Sequence, residues 1–242
     1  FGIEIINLKW MIEKIMLDTG NLIPPMKCKI YTTTKGKKED TLLFKSLNST
    51  IHFLQHYEEY NTKSLQECYN SFLRDARLNT VDIAVFVHDD VYINTGDLLS
   101  RLVSASKKYT VFGLAGATTC RIKEPALWHL MSERKDQKGN VAHGSPEQYQ
   151  YTSFGPIPGR VLVIDGVFMG INIKNLPTNV IFDETYPSNF HYYDLDFCLE
   201  CNKNNVKIGV VDIPIIHSSP GLTNPSNEFY EGQKYFINKW KK

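Results

Sequence analysis

The stretch Val81-Asp82-Ile83-Ala84-Val85-Phe86-Val87 is apolar almost without interruption and ends abruptly in His88-Asp89-Asp90. A run without polar alternation suits a strand buried on both faces of a sheet, where β-branched and aromatic residues fill both sides. A sheet covered on both faces means an α/β architecture. Charge begins where the strand ends, and in an open α/β sheet that carboxyl edge is where ligands bind. Two carboxylates there suit a hard divalent cation, and the cation suits a phosphate-bearing ligand. An acidic pair at a strand end is also ordinary surface punctuation, and support has to come from elsewhere in the chain. In the second half, Tyr193-Asp194-Leu195-Asp196 opens a helical pattern, a β-rich run from Val206 to Ile216 follows, and His217 lies immediately past it.

A chain of 242 residues with 42% apolar content is long enough for one substantial α/β domain. Residues 1–25 read as an amphipathic helix and linker, because Glu4, Lys9, Glu13 and Lys14 interrupt the apolar pattern too often for a membrane span. Pro24-Pro25 marks a break before the main domain, 26–242. The chain starts at Phe1 rather than Met, so this helix is expected to be the end of a preceding segment. Lys and Arg total 27 against 26 Asp and Glu, and the net charge of +1 supplies no global field for gathering nucleic acid. Any anionic partner must be held locally. The five cysteines are odd in number and scattered, which argues against a disulfide framework and for a reducing, cytoplasmic setting, free or peripheral to a membrane. Cys198 and Cys201 form a C-x-x-C within a helix, with no second pair to complete a zinc site, and read as core packing.

Strands are expected at 27–33, 51–57 and 81–87, with helices at 39–47 and from 61 onward, where Leu65, Cys68, Tyr69, Phe72 and Leu73 share one face. This β-α-β-α-β order is the signature of a nucleotide-binding half-domain. A helix at 97–107 and a strand at 110–114 follow. Residues 115–160 are polar, rich in glycine and proline and poorly periodic, the profile of a functional lid or acceptor platform or of disorder. Strands at 161–164 and 167–173 flank the turn Asp165-Gly166, and Phe229, Phe236 and Trp240 mark a docking helix.

Four segments taken in order carry a resemblance: KSLQECYN, FVHDDV, IDGVFMGINI, and FDETYPSNFHYYDLDFCLE with its trailing VVDIPIIHSSPG. From about Met26 to Trp240 the chain resembles the GT-A fold glycosyltransferases, and within them the family 2-like group of inverting enzymes. The resemblance implies an α/β GT-A fold, a single Rossmann-like mixed sheet flanked by helices. It implies transfer of a sugar from a UDP- or GDP-linked nucleotide-sugar donor to the hydroxyl of a glycan or other acceptor, with Mn²⁺ or Mg²⁺ as cofactor, in glycan or polysaccharide synthesis. The family's Asp-x-Asp metal motif becomes His88-Asp89-Asp90, so Asp90 takes the metal-ligand position, His88 replaces the first Asp, and Asp89 is the alternative contact for the donor ribose. The family's Glu-Asp motif corresponds to Tyr193-Asp194, which gives Asp194 the place of the base that takes a proton from the acceptor hydroxyl. Asp196 is expected to cap or orient the helix start.

His217 falls where such enzymes carry a third metal ligand, although a histidine at a strand end is also an ordinary solvated residue. Asp165 and Gly166 resemble the acceptor-side turn and equally fit a plain Asp-Gly hairpin. The resemblance assigns Thr32, Thr33, Thr34 and Asn70 to the nucleotide, while threonines at a strand end can instead satisfy local backbone groups. Two rivals stay open. A sugar-1-phosphate nucleotidyltransferase would need a glycine-rich basic loop, of which TTTKGKK at 32–38 is a faint version. A non-catalytic carbohydrate-binding protein of the same fold would tolerate His88 in place of Asp.

Overall fold

The computed structural model describes residues 26–47, 53–219, 221 and 224–241, so the expected helix over 1–25 lies outside the described residues. The first half forms the expected alternation: β1 (Cys28–Thr33), α1 (Leu42–Leu47), β2 (Leu54–Glu58), α2 (Leu65–Leu78) and β3 (Ile83–Val87). A short 3-10 turn at Lys38–Asp40 precedes α1, so the single helix expected at 39–47 is split. Ser64 starts α2 through a capping box, its hydroxyl accepting from Glu67 N at 3.2 Å while the Glu67 carboxylate accepts from Ser64 N at 2.9 Å. A box of this kind stabilises a helix by about 1 kcal/mol. All five residues of β3 are buried. Tyr31, Tyr69, Phe72 and Phe86 pack ring against ring over it, at centroid separations of 4.8 to 6.0 Å.

The remaining elements are β4 (Val91–Ile93), α3 (Leu98–Ser106), β5 (Val111–Gly113), β6 (Ala115–Ala117), β7 (Gln137–Ser145), β8 (Gln148–Gly155), β9 (Gly159–Arg160) and β10 (Val163–Ile164). They continue with β11 (Phe168–Asn172), α4 (Tyr193–Lys203), β12 (Ile208–Val210), β13 (Ile215–His217) and α5 (Asn227–Trp240). The main mixed sheet has the order β2-β1-β3-β11-β5-β12-β9, with β11 antiparallel to both β3 and β5. A second sheet, β10-β6-β7-β13-β4 with β8 on β7, stands beside it.

Residues 115–160 are therefore not irregular throughout. They contain the β7–β8 hairpin, paired from Gly139↔Gly155 to Ser145↔Gln148 around a bulge at Gly139/Asn140. Residues 148–153 of β8 are all exposed, so the short Gln148-Tyr149-Gln150-Tyr151 alternation marks no buried face.

α5 docks as expected, burying Phe229 and Phe236 against Tyr192 at ring separations of 5.4 and 5.7 Å. Asp196 departs from expectation: it caps no helix. Its carboxylate is buried and held by Tyr186 Oη, Lys239 Nζ and Trp240 Nε1, which clasps α5 to α4. All five cysteines are free thiols, with Cys198 and Cys201 fully buried in α4.

Candidate functional site

The end of β3 is fixed by β11. Val87 pairs with Phe168, and His88 N donates to Val167 O at 3.1 Å, which sets His88 against the Asp165-Gly166 turn. The chain then enters β4, which runs antiparallel to β13 with Val91 opposite His217, while Ser218 N donates to Asp90 O at 3.0 Å. That register brings Asp90 and His217 together from distant parts of the sequence. His217 Nε2 lies 3.4 Å from Asp90 Oδ1, and one ligand atom each of His88, Asp90 and His217 falls within 4.8 Å of the others. At 3.4 Å the contact is close but poorly aligned for a hydrogen bond, which leaves Asp90 Oδ1 buried without a well-formed partner.

Burial alone would raise the Asp90 carboxyl, but the neighbouring His217 and His88 outweigh it and hold the group below the usual range, as a carboxylate. Burial lowers His88, so its imidazole is neutral and keeps a lone pair. Its Nε2 meets Tyr193 Oη at 2.7 Å, so Nδ1 is the nitrogen left for a ligand. Two imidazoles and a carboxylate with an orphaned buried oxygen fit a divalent cation with open coordination positions.

Asp194 stands one residue further along α4. The chain enters this helix through Tyr192 at φ +68°, a left-handed conformation costly for a non-glycine residue and of the kind found at functional sites. Asp194 Oδ2 accepts from Gly166 N at 2.9 Å and Oδ1 from Leu195 N at 2.8 Å. Asp165 is held in the same turn, accepting from Val167 N at 3.0 Å and from Trp128 Nε1 at 2.9 Å. A Cβ on Gly166 would lie 2.3 Å from Tyr193 Oη, so only glycine lets the turn approach α4 closely enough for its N–H to reach Asp194. Burial, reinforced by the charge of Asp165, pushes the Asp194 carboxyl up to about 7, where it can accept and release a proton near neutrality.

These groups open on one cavity of about 430 Å³, within the range of small-molecule pockets. His88 and His217 stand in its wall with Asp165, Gly166 and Asp194, and Trp128, Phe154, Phe190, Tyr192 and Phe229 supply much of the rest. Of the expected site residues, Thr32, Thr33, Thr34, Asn70 and Asp89 do not line it, and Asp90 lies beside it rather than in its wall. Asn70 is a structural brace instead, donating to Phe182 O at 2.9 Å and to Glu184 Oε1 at 2.7 Å and accepting from Phe182 N at 2.9 Å. Both of its N–H donors and one lone pair of its oxygen are thus engaged by the protein. Thr34 Oγ1 accepts a local bond from Gly36 N at 3.4 Å, and Asp89 O accepts from Leu43 N at 3.2 Å.

Sequence reasoning missed His129, His143, His191, Trp128 and Tyr193. Five of the chain's seven histidines reach this cavity, but they come from separate strands and loops with no common spacing. Only the Tyr193 position carried a signal, as the residue before the expected base.

A family model described as glycosyltransferase-like family matches residues 52–240. No curated protein matches the chain by sequence. Among solved structures, A197 from STIV is 9% identical with a TM-score of 0.48, covering 84% of this chain and 99% of that one. The 4-diphosphocytidyl-2C-methyl-D-erythritol synthase of Anaerococcus prevotii is 8% identical at a TM-score of 0.40, covering 88% and 99%. HddC from Yersinia pseudotuberculosis is 14% identical at 0.35, covering 94% and 84%.

Proposed function

This chain belongs to the glycosyltransferase-like family, and from that premise we propose that it is a metal-dependent, inverting glycosyltransferase that moves a sugar from a nucleotide-sugar donor to an acceptor hydroxyl. The observation that carries the reading is that two members of a candidate metal triad, His88 and His217, share a cavity wall with a carboxyl raised to about 7, Asp194, while the third, Asp90, lies directly beside that wall. The triad would hold the cation on the donor diphosphate. A divalent cation bound there neutralises charge that builds on the departing diphosphate. Two imidazoles among three ligands weigh toward Mn²⁺ or another first-row ion over Mg²⁺. Asp194 takes the proton of the incoming hydroxyl, and its two backbone donors fix its orientation. The aromatic walls exclude water, which would otherwise hydrolyse the donor.

Among the described residues, no Lys or Arg lines the cavity. This supports the need for a cation and counts against a nucleotidyltransferase, whose triphosphate substrate calls for basic side chains. Calorimetry with UDP and GDP, each with Mn²⁺ and with EDTA, tests the reading. Nucleotide binding is expected only with metal, and Asp90→Ala should abolish it. His217→Ala should weaken Mn²⁺ binding by roughly 10-fold to 100-fold without unfolding the protein. Equal nucleotide affinity in EDTA for wild type and Asp90→Ala would remove the metal from the proposal.

A further inference from the structure

Resting on the glycosyltransferase reading, we infer that the sugar residue carrying the accepting hydroxyl is uncharged, and that the cavity selects against acidic acceptors such as uronic acids and phosphorylated sugars. The first ground is the distribution of charge. Asp165 and Asp194 are the carboxylates in the cavity wall, Asp90 lies in the triad beside it, and no Lys or Arg side chain lines it among the described residues. A cation held by His88, Asp90 and His217 would be matched by the donor's own diphosphate, leaving no positive charge to pair with a carboxylate or phosphate on the acceptor. An acidic acceptor would then be desolvated next to like charge without a counterion, the arrangement by which sites reject a ligand.

The second ground is the wall itself. Trp128 and Phe154 meet edge to face at 4.9 Å, and Phe190 and Phe229 line the cavity too. The negative faces of aromatic rings suit the weakly positive C–H face of a neutral pyranose. Trp128 Nε1 is already donated to Asp165, so the indole offers no N–H to an anion. Cavity specificity thus comes from apolar surface, imidazoles and two acceptor-type carboxylates, a set that receives hydroxyl donors and holds no ammonium or guanidinium to pair with an anion.

The test uses the full chain with Mn²⁺ and matched pairs of probes: methyl glucoside against methyl glucuronide, and methyl galactoside against methyl galacturonide. Saturation-transfer NMR measures binding of each, and release of free sugar from UDP- and GDP-sugars measures donor turnover separately. The neutral member of each pair should bind roughly 10-fold or more tightly than its acidic partner. Phe190 is 52% exposed, so Phe190→Arg should fold normally, and a cation at that position should cut the preference at least several-fold. Equal binding of the two members, or a preference that Phe190→Arg leaves untouched, would overturn the inference. Absence of donor turnover with the neutral preference intact would instead sink the glycosyltransferase reading while leaving a site for neutral sugars.

Discussion

At the scale of single residues, the two departures from the family pattern meet each other. His88 stands where an Asp is usual and Tyr193 where a Glu is usual, and their side chains are joined at 2.7 Å. The pair orients the imidazole as an outer carboxylate orients a metal-binding histidine elsewhere. Tyr193→Phe should therefore lower Mn²⁺ affinity roughly 10-fold with the fold intact; an unchanged Mn²⁺ titration would make the contact merely structural. Asp194 carries a second, sharper expectation. Its folded pKa of about 7 lies above that of an ordinary carboxyl, so its contribution to stability is complete below about pH 4 and is lost as pH rises through 7. At pH 8 the fold bears the cost of a buried charge. Asp194→Asn removes that charge and one of two backbone acceptor contacts, for a net gain of about 1–2 kcal/mol at pH 8 that vanishes at pH 4. Transfer should fall roughly 100-fold to 10,000-fold, while donor affinity stays the same. Wild-type transfer should climb with pH and level off above about 7. Urea denaturation at both pH values, beside single-turnover transfer, checks all three; a stability change that ignores pH would show that Asp194 is not held above its ordinary range.

At the scale of elements, α4 is held by α5 through one buried clasp. Lys239 Nζ lies 2.6 Å from Asp183 Oδ2 and 2.8 Å from Asp196 Oδ1. Burial works against the Asp183 carboxylate, but Lys239 and Thr185 outweigh it and bring the group down to about 2. This contribution is present above the ordinary carboxyl range and is lost as pH falls toward 2. Lys239→Ala would strand the buried Asp196 charge with only Tyr186 and Trp240, and should cost about 2–4 kcal/mol. Because α5 packs Phe229 on Tyr192, beside Asp194, a fall in the urea midpoint should come with slower transfer. A midpoint that does not move would reduce the clasp to a surface contact. The sequence made α2 and α5 legible through apolar spacing, and β3 through its unbroken apolar run, because these patterns report local burial directly. Asp196 was not legible, since a carboxylate near a helix start looks the same whether it caps that helix or receives a lysine from another. Asn70 came to the nucleotide from the resemblance alone, and a motif match carries no information on the partners in 182–184 that the folded chain brings to its amide. β8 has no buried face and its Gln-Tyr alternation is only four residues long within a polar stretch, so its pairing with β7 is what reveals it.

At the scale of the whole molecule, the near-neutral charge and the carboxylate-bearing cavity act together. A chain of net charge +1 has no long-range attraction for a nucleoside diphosphate, and no basic side chain meets it in the cavity among the described residues. Donor and cation should therefore bind as a linked pair, neither tightly without the other. The β4–β13 pairing that assembles the triad joins the middle of the chain to its last third, so a cation held there fastens parts of the fold distant in sequence. Linkage then makes global stability the readout. At 100 times its dissociation constant, a Mn²⁺-loaded donor nucleotide should stabilise the native state by about 2.7 kcal/mol, which for a domain of this size raises the melting temperature by roughly 5–10 °C. The same nucleotide in EDTA should give no shift, and Asp90→Ala should give none under either condition. If UDP and GDP leave the melting temperature unmoved with Mn²⁺ present at saturating levels, the cavity does not take a nucleoside diphosphate and the donor assignment is wrong. If the shift survives EDTA, the nucleotide is held by groups other than His88, Asp90 and His217, and the cation has no part in binding it.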